Sequence, residues 1–312
     1  MDRIIPLSGV GTECLEYNVI AVLGAMSERF RLIYCDAWYF DFTGNVNSIG
    51  AGISAGLGGI EDNSEKYLGI KIDYDRISDP RRAYEAVRTQ TANGKAAVFV
   101  LDSGYCEWLR TQSGHKTHAL VAYGTANDGA LCCVDCLPAA EDIKFSVESF
   151  LRAYLGPVVR FEDVGTKDGV DYTEPLMRTV SRLSSGTCFA AIKELARSVK
   201  SIDILKECDG CDEKNIWNSP IFHKLEILGI CRRQYAQYLM LLSDITGLMG
   251  LGAVGKQLQT ASEQWQLARS LLMKLRIIGN SAVIAGRAGA VVMKIADTEE
   301  DALASLRKAI GT

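Results

Sequence analysis

Residues 117–124, THALVAYG, and 130–136, ALCCVDC, are two apolar runs of β character separated by a loop that contains Asn127-Asp128-Gly129. Loops of that composition close β-hairpins, so the two runs are expected as neighbouring antiparallel strands. They decide the fold because a third β run, 96–102 (AAVFVLD), precedes them, and three such runs in quick succession call for a sheet. Working outward, residues 79–94 begin with Asp-Pro and then carry Ala83, Val87 and Thr91 at helical spacing, whereas 67–73 (YLGIKID) alternates as a strand does. Residues 32–43 (LIYCDAWYFDFT) are aromatic and read as β-rich, and 14–28 place Leu15, Val19, Val22 and Leu23 on one helical stripe. On the C-terminal side a helix over 145–155 and a short strand near 157–162 complete this half.

The stretch 163–174 (DVGTKDGVDYTE) is polar and rich in Gly and Asp, and the domain boundary is expected there. Beyond it the β signals vanish. Leu176, Val180 and Leu183, then Ala190, Ile192 and Leu195, read as helix, as do 218–246, 253–278 and 297–309, with 208–215 (CDGCDEKN) as a polar interruption. The last helix is expected to open with Asp297-Thr298-Glu299-Glu300, acids that suit the positive end of a helix dipole. The expected class is therefore α+β, with a mixed domain over 1–162 and an all-α helical domain over 175–312.

A chain of 312 residues with 48% hydrophobic and 23% charged side chains buries its own core, which excludes disorder as the main state. The net charge is −4, acids outnumber bases in the first half, and neither half carries the basic excess of a nucleic-acid binder. No apolar run reaches the roughly 18–20 residues of a membrane span. The start, MDRIIPLSGVG, lacks the charged and apolar regions of a signal peptide, so a cytoplasmic location is expected. Ten cysteines in a chain of this size read as reduced thiols that mostly fill core.

Only three histidines occur, which shortens the search for a general base. His118 opens one strand of the hairpin and Asp135 lies near the end of the other. A carboxylate bonded to one imidazole nitrogen fixes the tautomer and aim of a base. Cys14 stands at the start of the first helix, where the dipole favours a thiolate, and is the best placed nucleophile. The order Cys, His, Asp, with the thiol on an early helix and its partners on later strands, is the layout of papain-like enzymes. The bland alternative makes Cys14 a small buried residue, His118 a satisfied core histidine and Asp135 a turn-forming acid. His115 is a rival base, but it lies in the loop before the strand, where an imidazole is harder to orient.

Several segments carry a family resemblance: Glu13-Cys14-Leu15-Glu16-Tyr17-Asn18, Cys35-Asp36-Ala37-Trp38-Tyr39-Phe40, the run from Gly94 to Tyr105, His115 to Gly124, and Val134-Asp135. In order and spacing they resemble the N-terminal domain of the butirosin-biosynthesis protein H family, itself similar to the bacteriocin-processing group of papain-like cysteine peptidases. The resemblance covers about residues 8–160. The remainder, with Ser262-Glu263-Gln264-Trp265 and Ala296-Asp297-Thr298-Glu299-Glu300, resembles the helical domain that often follows. It implies a papain-like catalytic domain and an acyltransferase of specialised metabolism. Such an enzyme takes an acyl group from a carrier-protein thioester through an acyl-cysteine and passes it to a small amine acceptor. Cys14 is then the nucleophile, His118 the base and Asp135 its orienter, with Ser8, Asn18, Trp38, Asp102 and Tyr105 as oxyanion or substrate-binding residues. No metal and no resident cofactor are implied, the substrate riding on a phosphopantetheine arm of an acyl or peptidyl carrier protein.

Two departures from the peptidase pattern stand out. Ser8 occupies the place of the glutamine that polarises the oxyanion, and Cys136 and Leu137 separate Asp135 from Pro138. Losing one oxyanion donor costs about 10²–10³ in rate, which a reactive thioester tolerates better than a peptide. A peptidase or thioester/amide hydrolase of the same fold remains an alternative, as does a catalytically silent interaction module.

Other patterns are weaker. Gly50, Gly52 and Gly56 mimic a dinucleotide fingerprint without a strand feeding into it, and Gly250 to Lys256 has Walker A spacing but ends in Gln257, so a break between helices is expected there. The pairs Cys133/Cys136 and Cys208/Cys211 lie in different domains, which argues against a four-thiolate zinc site. Trp38, Tyr39 and Phe40 are as readily core as the wall of an acyl pocket. A basic docking face for an acidic carrier protein is expected on Arg232-Arg233, Arg269, Lys274 and Arg276.

Overall fold

The computed structural model describes residues 4–44, 48–109, 114–166, 169–211, 216 and 219–311. The chain is mixed α/β and divides into two compact units, Met1–Ile33 with Ile60–Val170, and Tyr34–Gly59 with Asp171–Thr312. It therefore crosses between units three times, where the sequence reading placed a single boundary in 163–174. The segment 34–59, with its two-residue strands β1 (Asp41–Phe42) and β2 (Ile53–Ser54), belongs with the helices. The β-rich reading of 32–43 gives way to a 3₁₀ turn over Phe30–Asp36 and β1 alone. Tyr34, Cys35, Ala37, Trp38 and Phe40 are buried, and a run buried on all sides has no periodicity to reveal its conformation.

In the first unit, helix α1 (Cys14–Met26) and the short α2 (Ile60–Asn63) precede strand β3 (Ile70–Asp75) and helix α3 (Pro80–Ala92). Strands β4 (Ala97–Asp102), β5 (Thr117–Thr125), β6 (Leu131–Cys136) and β7 (Ala139–Phe145) follow, then helix α4 (Val147–Ala153) and strand β8 (Tyr154–Asp163). The six strands form one antiparallel sheet in the order β3-β8-β4-β5-β6-β7. The hairpin read from Asn127-Asp128-Gly129 pairs Val121 with Val134 and Ala122 with Cys133. Phe99, Leu101, Leu120 and Leu131 pack with Ala83, Tyr84 and Val87 of α3 and Phe150 of α4. Their neighbours Val98, Val100, Ala119 and Val121 are buried as well, so the central strands are covered on both faces. The helix start at α3 follows its sequence signal: Asp79 caps Arg81 N and Pro80 takes the first position. β7 has no counterpart in the sequence reading, because its AAEDIKF is a mostly exposed edge strand without an apolar face.

The second unit holds α5 (Glu174–Ser184), α6 (Thr187–Lys200), the short α7 (Ile204–Glu207), α8 (Pro220–Thr246), α9 (Gly250–Ile278) and α10 (Ala282–Ile310). Helix α9 packs between α8 and α10, and α10 also packs on α6. The last helix thus begins fifteen residues before its expected start, and Asp297 to Glu300 lie in its middle rather than at its dipole. The overlooked part is Ala- and Gly-rich, suited to close helix approach: a Cβ on Gly289 would stand 2.7 Å from the Ala196 carbonyl oxygen of α6. Glu299 is fully buried and binds Arg232, at 2.8 Å from Nε to Oε1 and 3.0 Å from Nη2 to Oε2. Trp38 Nε1 donates to Glu299 Oε2 at 2.8 Å and Trp265 Nε1 to Oε1 at 3.2 Å, while Arg232 Nη1 reaches the Tyr39 carbonyl at 2.8 Å.

That cluster takes Arg232 out of the expected basic docking face, since it has no exposed surface, and Arg269 is engaged by the Phe222 carbonyl and Glu226. Each glycine pattern holds one tight approach, at Gly50 and at Gly250, while Gly56 and Gly252 face open space. A Cβ on Gly50 would fall 2.2 Å from Ile221 N, and Gly250 to Lys256 form the first turns of α9, after the break at 247–249. Of the polar interruption, 212–215 lie outside the described residues. No helix among the described residues is long and apolar enough to cross a membrane.

Candidate active site

Cys14 is the first residue of α1 and is partly exposed. Glu13 enters the helix in extended conformation and offers no side-chain cap, so the leading N–H groups of α1 face outward with the positive end of the dipole. Glu16, one turn in, reaches back to accept from Thr12 N at 2.8 Å and from the Thr12 hydroxyl. Asn18 is fully buried one turn after Cys14. Its Nδ2 donates to the Cys14 carbonyl at 2.8 Å and to the Ala119 carbonyl at 3.0 Å, which fastens the helix that Cys14 begins to β5 one residue beyond His118.

His118 is the second residue of β5, paired with Leu101 of β4, and is 6% exposed. Its Nε2 lies 2.7 Å from Asp135 Oδ2, and its ring is hydrogen-bonded to the Cys14 thiol. With Nε2 on the carboxylate, Nδ1 is the nitrogen left for the thiol. Asp135 has no exposed surface and sits in β6 where the register with β7 shifts, a bulge of the kind that re-aims a side chain. Trp108 Nε1 donates to the same Oδ2 at 2.8 Å, and Leu137 N donates to Oδ1 at 3.0 Å. Burial opposes the charged imidazole, but the Asp135 carboxylate and the bond to Cys14 outweigh it and push His118 up to about 9.

Six of the other thiols are held as neutral SH groups. Burial pushes Cys106, Cys136 and Cys188 up to about 12, and it raises Cys35, Cys133 and Cys208 as well. A thiol so shifted has almost no thiolate at neutral pH, and the thiolate is the nucleophile.

The structure thus brings Cys14, His118 and Asp135 together. The supporting residues fare differently. Asn18 has both amide hydrogens on backbone carbonyls and none for an oxyanion, so its expected donor role is replaced by that of a strut. Ser8 is exposed in the turn before α1. Trp38 is core of the helical unit, its ring 5.5 Å from Tyr235 and its N–H on Glu299. Asp102 Oδ1 accepts from Gly104 N, and its Oδ2 is 2.8 Å from His115 Nδ1, which lowers the Asp102 carboxyl. His115 therefore has an orienter after all, although it is 74% exposed. Tyr105 packs edge-on to His115 and under Arg152. Trp108 was missed by sequence reasoning, because nothing in the spacing between a loop tryptophan and a strand aspartate announces their contact.

Neither a protein-family model nor a curated protein sequence matches this chain.

Proposed function

We propose that the chain is a cysteine-dependent acyltransferase that moves an acyl or aminoacyl group from a carrier-protein thioester to an amine. The observation that carries this is the uncapped helix start bearing Cys14, hydrogen-bonded to a His118 whose opposite nitrogen is held by buried Asp135. The thiol proton resides on His118 Nδ1 when the Cys14 sulfur attacks the thioester carbonyl. The tetrahedral oxyanion is met by the outward N–H groups at the start of α1. Collapse expels the phosphopantetheine thiolate, which takes the proton from His118 and leaves acyl-Cys14. An amine then attacks the same carbonyl, His118 accepts the amine proton, and expulsion of Cys14 gives the amide and restores the thiol. Asp135 holds the tautomer and stabilises the imidazolium in both halves.

Thioester donors are favoured over peptides by the same geometry. Ser8 is exposed and the Asn18 amide is engaged, so oxyanion stabilisation falls to backbone N–H groups, and a reactive ester needs less of it. The resemblance to the butirosin-biosynthesis protein H family supports transfer to an amine over transfer to water. The one prosthetic group in this reading is the partner's phosphopantetheine arm.

The test is incubation with a short acyl thioester of N-acetylcysteamine, followed by peptide mass mapping and product analysis with and without a panel of amines. An acyl adduct at Cys14, lost in Cys14→Ser and converted to amide faster than to free acid, is expected. An adduct at Cys106 or Cys208 with none at Cys14 overturns the assignment, and free acid as the main product in the presence of every amine replaces transfer by hydrolysis.

A further inference from the structure

Asp135 is held by three donors rather than the one its role as orienter requires. Leu137 N fixes Oδ1, while Oδ2 accepts both His118 Nε2 at 2.7 Å and Trp108 Nε1 at 2.8 Å. An indole N–H only donates, so the bond to Trp108 has one possible direction, from the ring to the carboxylate. Trp108 is itself fixed: it lies in a 3₁₀ turn, Glu107–Leu109, and its ring meets Phe145 edge-on at 6.2 Å. Phe145 is in turn packed 6.0 Å from Phe99 in the core of the first unit.

We infer that Trp108 is a positioning residue for the acyl-transfer site, aiming the Asp135 carboxylate so that Oδ2 stays on His118 Nε2. This rests on the reading of Cys14, His118 and Asp135 given above. Leu137 N and His118 put one partner on each oxygen; the indole adds a second on Oδ2, the oxygen that meets His118, and so stiffens the carboxylate where its aim matters. The ring is also one wall of a cleft of about 530 Å³ shared with Tyr105, Lys144 and Ser149, so the group that aims a fully buried aspartate is itself reachable from solvent.

The test is the pH profile of Cys14 alkylation by iodoacetate, an anion that reacts fastest with a thiolate beside a cation, so its rate falls once His118 loses its proton. In the unaltered protein that upper limb is expected near pH 9, in keeping with the raised His118. Trp108→Phe keeps an aromatic ring beside Phe145 and removes the donor together with part of the ring system. If Trp108 aims Asp135, the imidazolium loses part of its partner and the limb falls by about 0.5–1 pH unit. Trp108→His, with a ring N–H on a shorter side chain, should lie between the two, and it carries the test should the phenylalanine variant fail to fold. An unchanged limb in both variants, whatever their melting temperatures, overturns the inference. A limb that rises overturns it too, because the indole would then be competing for the carboxylate. Absence of any His118-dependent limb in the unaltered protein refutes the site reading instead, which separates the two failures.

Discussion

The raised His118 ties stability to pH in a definite direction. Its proton is held more tightly in the folded chain than at the ordinary value of 6.5, so the stabilisation is fully present below pH 6.5 and is lost as pH rises toward about 9. The difference in melting temperature between the unaltered chain and His118→Gln should therefore shrink between pH 6 and pH 9.5; a difference that widens over that range would refute the ion pair. Asp135→Asn is expected to leave the chain folded while cutting the rate by about 10²–10⁴, since a wrong tautomer disables the base. A lower melting point with an unchanged rate per folded molecule would make Asp135 a structural acid. Asn18→Leu withdraws both amide donors and should cost about 1–3 kcal/mol in denaturant unfolding. It should also slow Cys14 alkylation, because it unties α1 from β5. At this scale Cys14, His118 and Asp135, which the fold brings together, were legible from residue type, scarcity and order along the chain. Asn18 was legible as a residue but not in its role, since only the fold shows that two carbonyls claim its hydrogens.

Among the elements, the sheet strands and α3 announced themselves because each has one patterned face or a clear terminus: Asp79-Pro80 starts α3, and Asn127-Asp128-Gly129 closes the β5–β6 hairpin. The failures were elements whose environment is uniform. Most of residues 32–40 are buried, β7 is mostly exposed, and the first half of α10 is too rich in Ala and Gly to show a stripe. Glu299 shows the consequence, for it was read as a helix-dipole acid and is instead the acceptor at the centre of α8, α9 and α10. Removing it leaves Arg232 as an unpaired charge with no exposed surface. Glu299→Gln is therefore expected to destabilise the protein by about 3–5 kcal/mol in chemical denaturation. Adding Arg232→Met to that variant should recover part of the loss, because it removes the stranded charge. Equal losses in the single and double variants would mean that the ion pair is not the source of the effect.

Across the whole chain, the division into two units does not follow the sequence in one cut. The polar stretch 163–174 was a legible boundary because linkers have a composition of their own. The crossings at 33/34 and 59/60 have none, since the first runs through buried Ile33, Tyr34 and Cys35. The segment 34–59 supplies Trp38 to Glu299, the Tyr39 carbonyl to Arg232, Phe40 stacked at 6.0 Å on Trp265, and Gly50 against the start of α8. A protein cut after residue 170 should therefore fail in a specific way. The fragment 171–312 loses an acceptor's partner and several buried aromatic contacts at once, each large apolar side chain being worth about 1.5–3 kcal/mol when buried. It should melt well below the intact chain and bind a hydrophobic dye. A synthetic peptide spanning 34–59, added in trans, should raise its melting temperature and quench the dye signal, whereas the same peptide with Trp38→Ala and Phe40→Ala should do neither. Should 171–312 unfold as cooperatively and at the same temperature without the peptide as with it, the segment would be an appendage of the helical unit and not part of its core.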